Sequence, residues 1–188
     1  MKERRTARKT TPSLAGQLLL AHPVLRDPNF RRTVVLLSGH DAGGAMGVVL
    51  NRPLGKQLGE LNSEFATSPL AGVPLYAGGP VAGENLIVVT WQWIPAEQAF
   101  QLTFGVEIER ANELIGRPGL TMRAFLGYSG WSGGQLENEL RHNTWITTPV
   151  EGDWLIKHDG VTLWRHLISH VEPDLKVLAD APDDPTVN

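Results

Sequence analysis

No cysteine occurs in the 188 residues, which excludes disulfides, thiol catalysis and thiolate metal sites and suits a reducing cytosol. Stability must come from packing. Long hydrophobic runs are missing too: nothing approaches the roughly 20 apolar residues of a helical membrane span, and Leu18 to Ala21 is cut short by His22 and Pro23. Arg4-Arg5 resembles an export signal only superficially, because no apolar stretch or cleavage site of the usual kind follows it. The chain holds no complete phosphate loop, no internal repeat and no linker between two independent domains. Positive charge is scarce in the body. Lys2, Arg4, Arg5, Arg8 and Lys9 against Glu3 give the first eleven residues +4, so the remainder carries −7 of the net −3. An acidic body disfavours direct nucleic-acid binding.

With 41% hydrophobic residues, the chain can bury a real core. We expect a disordered basic tail over 1–12, a single domain over 13–180 and an acidic surface tail over 181–188. The stretches 16–21, 33–37, 45–50, 74–77 and 85–91 read as strands. The Thr33-Val34-Val35-Leu36-Leu37 run is β-branched and apolar, as suits burial on both faces. Residues 54–72 are mixed, with a short helix near Leu58 to Leu61. Phe100 to Phe104 alternates and reads as a half-buried strand. Ile108, Ala111, Leu114 and Ile115 predict a helix over about 106–115 that Gly116 stops. Residues 144–147 and 153–156 read as short extended segments. Trp164, Leu167, Ile168 and Val171 then set one apolar face of a helix beginning near Val161.

The most specific stretch is Gly127-Tyr128-Ser129-Gly130-Trp131-Ser132-Gly133-Gly134-Gln135-Leu136-Glu137-Asn138-Glu139. It follows an apolar β-prone segment, so a strand is expected to end and a helix to begin there, a common place for ligands. With Ser132 as N-cap, Gln135 falls at N3 as a capping box, and Trp131 and Leu136 form a hydrophobic staple. This predicts an amphipathic helix from about 133 to 141. Gly-x-Ser before a helix suggests a nucleophile elbow, but Trp131 stands where the second glycine of that motif belongs. A turn built on Gly127, Gly130, Gly133 and Gly134 is the stronger reading.

Other candidates are weighed the same way. His22 and His40 end neighbouring strands and, with Asp27 and Asn29, could line a polar pocket, although histidines satisfied within turns are the commoner case. Asn51 and Arg52 end an apolar strand. The planar guanidinium of Arg52 suits an anion or carboxylate, against a structural ion pair. Gly78-Gly79-Pro80 could offer backbone N–H groups to an anion, without the length or lysine of a phosphate loop. Tyr128, Trp131 and Trp145 could stack on a base, though six tryptophans in an α/β chain more often pack a core. Gln135 and Glu139 complete the ligand or partner-binding set within the 127–139 run. His166 and His170 have zinc-ligand spacing, but the glutamate of His-Glu-x-x-His is missing and both are expected to face solvent, opposite Trp164. No metal or other cofactor is expected.

Several motifs recur in a fixed order. Gly16-Gln17-Leu18-Leu19 with Ala21-His22-Pro23, Asp27-Pro28-Asn29-Phe30, Gly47 to Pro53, Tyr76 to Val81, the 127–139 run and Pro182 to Asn188 together resemble the AlgH/YqgE family of bacterial proteins over residues 14–188. The resemblance implies a mixed α/β (α+β) fold, with a branching mixed sheet, a small barrel-like part and flanking helices. It implies no catalytic mechanism. Members are often labelled transcriptional regulators, through regulation of alginate synthesis. Gly133-Gly134 departs from a proline frequent in the family's first helical turn, and the basic extension is not a family feature. The resulting expectation is a cytoplasmic, non-enzymatic regulatory or binding protein that takes a small ligand or a protein partner at the cleft beside residues 127–139 and His22. The alternative is a hydrolase or transferase using Ser129 or His22.

Overall fold

The computed structural model describes residues 12–97, 99–151 and 153–182. Residues 1–11 of the expected basic tail and 183–188 of the acidic one lie outside the described residues. The strands are β1 (Leu18–Ala21), β2 (Val34–Asp41), β3 (Gly44–Val49), β4 (Pro53–Gln57), β5 (Pro74–Ala77), β6 (Val81–Ile94), β7 (Ala99–Phe104), β8 (Leu120–Ser132) and β9 (Trp145–Thr148). The α-helices are α1 (Ser63–Ala66), α2 (Ile108–Leu114), α3 (Gln135–Arg141), α4 (Trp154–Lys157), α5 (Gly160–Val171) and α6 (Lys176–Asp180).

β1, β2 and β3 pair antiparallel, and β1 also pairs with β9. Their sequences are continuously apolar because both faces are covered. Leu18, Leu20, Val34, Leu36 and Val48 point into one core with Leu163, Trp164, Leu167 and Ile168 of α5. Leu19, Ala21, Val35, Leu37 and Val49 point the other way, onto Trp131, Leu136 of α3 and Trp145. At about 1.5–3 kcal/mol for each fully buried Leu or Val, this two-sided burial is a principal source of stability. A third core gathers Leu58, Leu70, Leu75, Val88 and Met122 under Ala111 of α2.

β8 organises the sheet. Leu120–Tyr128 pairs antiparallel with β6, Ala124–Leu126 pairs parallel with β5, and Ser129–Ser132 pairs antiparallel with β3. The described strands run in the order β4-β5-β8-β3-β2-β1-β9, with β6 and β7 branching from β8. The branching mixed sheet and flanking helices match the expected fold class. The change of partner occurs at Gly127, whose φ of 71° lies in the left-handed region that glycine tolerates best.

Several expected boundaries are corrected. The glycine-rich run is not a turn from its first residue, because β8 continues through Ser132 and only Gly133-Gly134 turns the chain. α3 begins at Gln135 with Gly134 as N-cap, not Ser132. Half of the expected box survives, since the Ser132 N–H donates to Gln135 Oε1 at 3.1 Å. The staple holds in substance: Trp131 and Leu136 share one core cluster. Residues 153–156, expected to be extended, enter the helical turn α4. Its Leu155 is buried among the α5 side chains, so tertiary packing overrides local pattern. Leu58–Glu60 forms a 3-10 turn and α1 follows, which resolves the mixed stretch near 54–72.

Candidate functional site

The 127–139 run builds a closed aromatic cluster. One turn of α3 places Gln135 and Glu139 together, and Gln135 Nε2 donates to Glu139 Oε1 at 2.9 Å. The other carboxylate oxygen, Oε2, accepts from the indole N–H groups of Trp131 at 2.8 Å and Trp145 at 2.7 Å. The two indoles meet edge to face at 5.9 Å, and Phe30 packs on both. Three donors on one carboxylate, with two tryptophans almost wholly buried, make Glu139 a structural clamp. Tyr128 belongs to the core on the opposite face of the sheet. The expected stacking platform of Tyr128, Trp131 and Trp145 therefore does not exist.

Ser129 is completely buried, and its Oγ donates to the Gly78 carbonyl at 3.2 Å. A hydroxyl sealed between β8 and the Gly78-Gly79 crossing cannot reach a substrate without local opening. The glycines there are needed for close approach: a Cβ on Gly79 would sit 2.2 Å from the Tyr128 carbonyl oxygen. Gly78 ties β3 to β8, accepting from Val49 N–H and donating to Leu126, both at 2.8 Å.

His22 and His40 do not converge. The register Leu18↔Leu36 and Leu20↔Val34 puts His22 beyond one end of the β1–β2 pair and His40 near the other. His22 Nδ1 accepts from the Val24 N–H within its own turn. His40 Nδ1 accepts from Leu14 N–H, so its neutral ring carries the proton on Nε2 and donates to Glu137 at 3.1 Å. With Trp131, Asp41 and Met46, His40 lines a depression of about 310 Å³.

A second group of candidates does meet. Asp27 Oδ1 accepts from the N–H groups of Asn29 and Phe30, an Asx turn that aims Phe30 at the aromatic cluster and leaves Asn29 on a groove wall. That groove, about 290 Å³, is lined by Pro28, Asn29, Val49, Arg52, Ala77, Gly79 and Pro80. Arg52 Nη2 donates to the Arg31 carbonyl at 2.7 Å, which fixes the guanidinium beside the turn. Asn51 faces inward instead. Its Oδ1 accepts from Val34 N–H, and its Nδ2 donates to the Arg32 and Gly160 carbonyls. All three bonds are structural.

One cluster lay outside the sequence-based candidates, and a second joins two of them to partners the sequence did not suggest. Arg123, buried in β8, donates to the carbonyls of Leu50 at 3.1 Å and Leu155 at 3.0 Å and lies over the rings of Tyr76 and Trp91. Tyr76 donates to Asp159 at 2.6 Å. Burial first, then that carboxylate, pushes the phenol up to about 12. The available signal was a lone arginine within Met122-Arg123-Ala124, since an unpaired charge in an apolar strand needs a built partner set. The other cluster joins α4 to α5. His158 stacks on His166 at 4.1 Å, and Trp154 packs on His170 at 4.8 Å. The expectation that His166 and His170 simply face solvent is corrected for His166, whose Nε2 is buried without a hydrogen-bond partner. Among the described residues, no group of three or more histidines and carboxylates is arranged to hold a metal ion.

Comparison with known proteins places this architecture. The AlgH-like family model matches residues 18–176. A UPF0301 protein of Streptomyces coelicolor is 37% identical over 190 residues, covering 94% of this chain and 96% of that protein. The solution structure of the AlgH protein from Pseudomonas aeruginosa aligns with a TM-score of 0.64 at 26% identity, over 97% of this chain and all of the other. A crystal structure from Corynebacterium diphtheriae aligns with a TM-score of 0.69 at 24% identity, over 91% and 93%. The chain belongs to the AlgH-like family.

Proposed function

We propose that this member of the AlgH-like family is a non-enzymatic, cytoplasmic binding protein, folded as one domain over 13–180. It takes a small anionic or carboxylate-bearing ligand in the groove of Asn29, Arg52 and Gly79. One observation carries the reading: these three candidates, far apart in sequence, line a single groove beside a fixed guanidinium. A planar guanidinium gives directional hydrogen bonds to a carboxylate or phosphoryl oxygen, and the apolar walls Pro28, Val49, Ala77 and Pro80 suit the rest of a small molecule. A regulatory role, including indirect effects on transcription, follows if ligand occupancy alters a protein partner's access to the same rim.

Native mass spectrometry of the full chain purified from its own cells tests this. The expected result is a reproducible added mass that Arg52→Gln loses while its thermal midpoint stays near that of the parent. An added mass equally retained by Arg52→Gln, or none in either protein across several growth conditions, overturns the assignment. Turnover that depends on Ser129 or His22 would favour the hydrolase or transferase alternative.

A further inference from the structure

The α4–α5 junction has the composition of a proton-sensitive contact. α4 is a single helical turn, held internally by Ile156 and Lys157 N–H groups donating to the Asp153 carbonyl and His158 N–H donating to Trp154. It lies against α5 through rings: His158 on His166 at 4.1 Å with an interplanar angle of 22°, and Trp154 on His166 at 6.0 Å and on His170 at 4.8 Å. His166 and His170 are themselves nearly parallel at 6.4 Å. Neutral imidazoles stack favourably at these distances, whereas two imidazolium rings repel.

The charged groups on the two elements are already engaged. Asp153 is paired with Lys157 at 2.8 Å. Asp159 accepts from Tyr76 and from Gly160 N–H, and Arg165 donates to the Ala179 carbonyl. Lys157 chiefly, and His158 more weakly, holds the Asp153 carboxyl below its usual range. No hydrogen bond from these carboxylates reaches His166, whose Nε2 is buried and unpartnered.

We propose that Asp153–His158 is a proton-released clasp. The stack of His158 on His166, with Trp154 on His170, holds it on α5 while His166 is neutral. Protonation of His166 in mild acid weakens that stack and lifts the segment, uncovering Leu155 and breaking the Arg123 bond to the Leu155 carbonyl. The direction follows from linkage. Burial first, then His158 and His170, holds the His166 pKa below its ordinary value. The clasp's contribution is therefore full above about pH 6.5, the ordinary histidine value, and is lost as pH falls through the lowered folded value. Trp154, packed on His166 at 6.0 Å, opposes the effect, since an indole attracts an imidazolium, but the His158 stack at 4.1 Å is the closer contact and carries the drive to open.

Amide hydrogen exchange on the full chain, corrected for intrinsic rates and followed from pH 7.5 to 5.5, reads the clasp. Protection at Ile156, Lys157 and His158 is expected to fall by roughly an order of magnitude, the scale of like-charge repulsion across a few ångströms at partial exposure. β2 amides should hold. His166→Phe retains a ring and cannot charge, so its protection should stay level across the same range. His158→Phe supplies the same test if His166→Phe fails to fold. Wild-type protection that does not change with pH, or an equal loss in the ring-retaining variant, overturns the proposal.

Discussion

Two aromatic clusters, one packed on β1–β3 beside α3 and one between α4 and α5, differ in a single kind of partner. On the α3 face, Phe30, Trp131 and Trp145 surround the carboxylate of Glu139, which accepts both indole N–H groups and the Gln135 amide. Beside α5, Trp154, His158, His166 and His170 stack without such a carboxylate, and His166 Nε2 has no partner. The first arrangement satisfies its polar atoms at fixed distances and has little to gain from moving. The second depends on His166 remaining neutral. An aromatic cluster is therefore a lock or a switch according to whether a carboxylate completes its hydrogen bonds.

The contrast can be broken most forcibly at Trp131. Trp131→Ala removes a nearly buried ring that touches both Phe30 and Trp145, and we expect it to cost about 3–5 kcal/mol in urea unfolding. A loss under about 1 kcal/mol would show that the α3 cluster is peripheral. Glu139→Gln keeps the shape but removes the charge and points an amide NH₂ at a donor. Its expected cost is about 1–3 kcal/mol, visible also as a shift of the Trp131 and Trp145 indole proton resonances. Trp154→Ala, in the other cluster, is expected to cost only about 1–2 kcal/mol because its ring is half-buried. That cost should shrink from pH 7.5 to 5.5 as the clasp's own contribution fades. Equal costs at the two pH values would place the α4 contact in the same class as the Glu139 clamp.

Much of this was legible in the chain. Val34-Val35-Leu36-Leu37 specifies a doubly covered strand because its apolar side chains alternate onto both faces. Trp164, Leu167 and Ile168 mark the α5 face by helical spacing alone. The candidate site was less legible. Asn29, Arg52 and Gly79 each stood out locally, yet nothing along the chain says that the Asx turn at Asp27 and the Gly78-Gly79 crossing face one another. Ser129 stood out for the opposite reason: local motif suggested reactivity, and only the crossing glycines reveal that it is sealed. Arg123 was missed because a single arginine in an apolar strand has no local explanation. Its partners Leu50, Tyr76, Trp91 and Leu155 arrive from four separate segments.

By itself, the sequence determined the absence of thiol chemistry, the acidic body, the two-faced strands and the amphipathic helices, because each depends on composition or on spacing within a few residues. The tertiary structure decided which polar groups are occupied. Hydrogen-bond satisfaction is set by the positions of donors and acceptors brought together from distant segments, so Glu139 became a clamp, Asn51 a tie and His166 an unpartnered ring only when the sheet branched at Gly127 and the helices closed over its two faces.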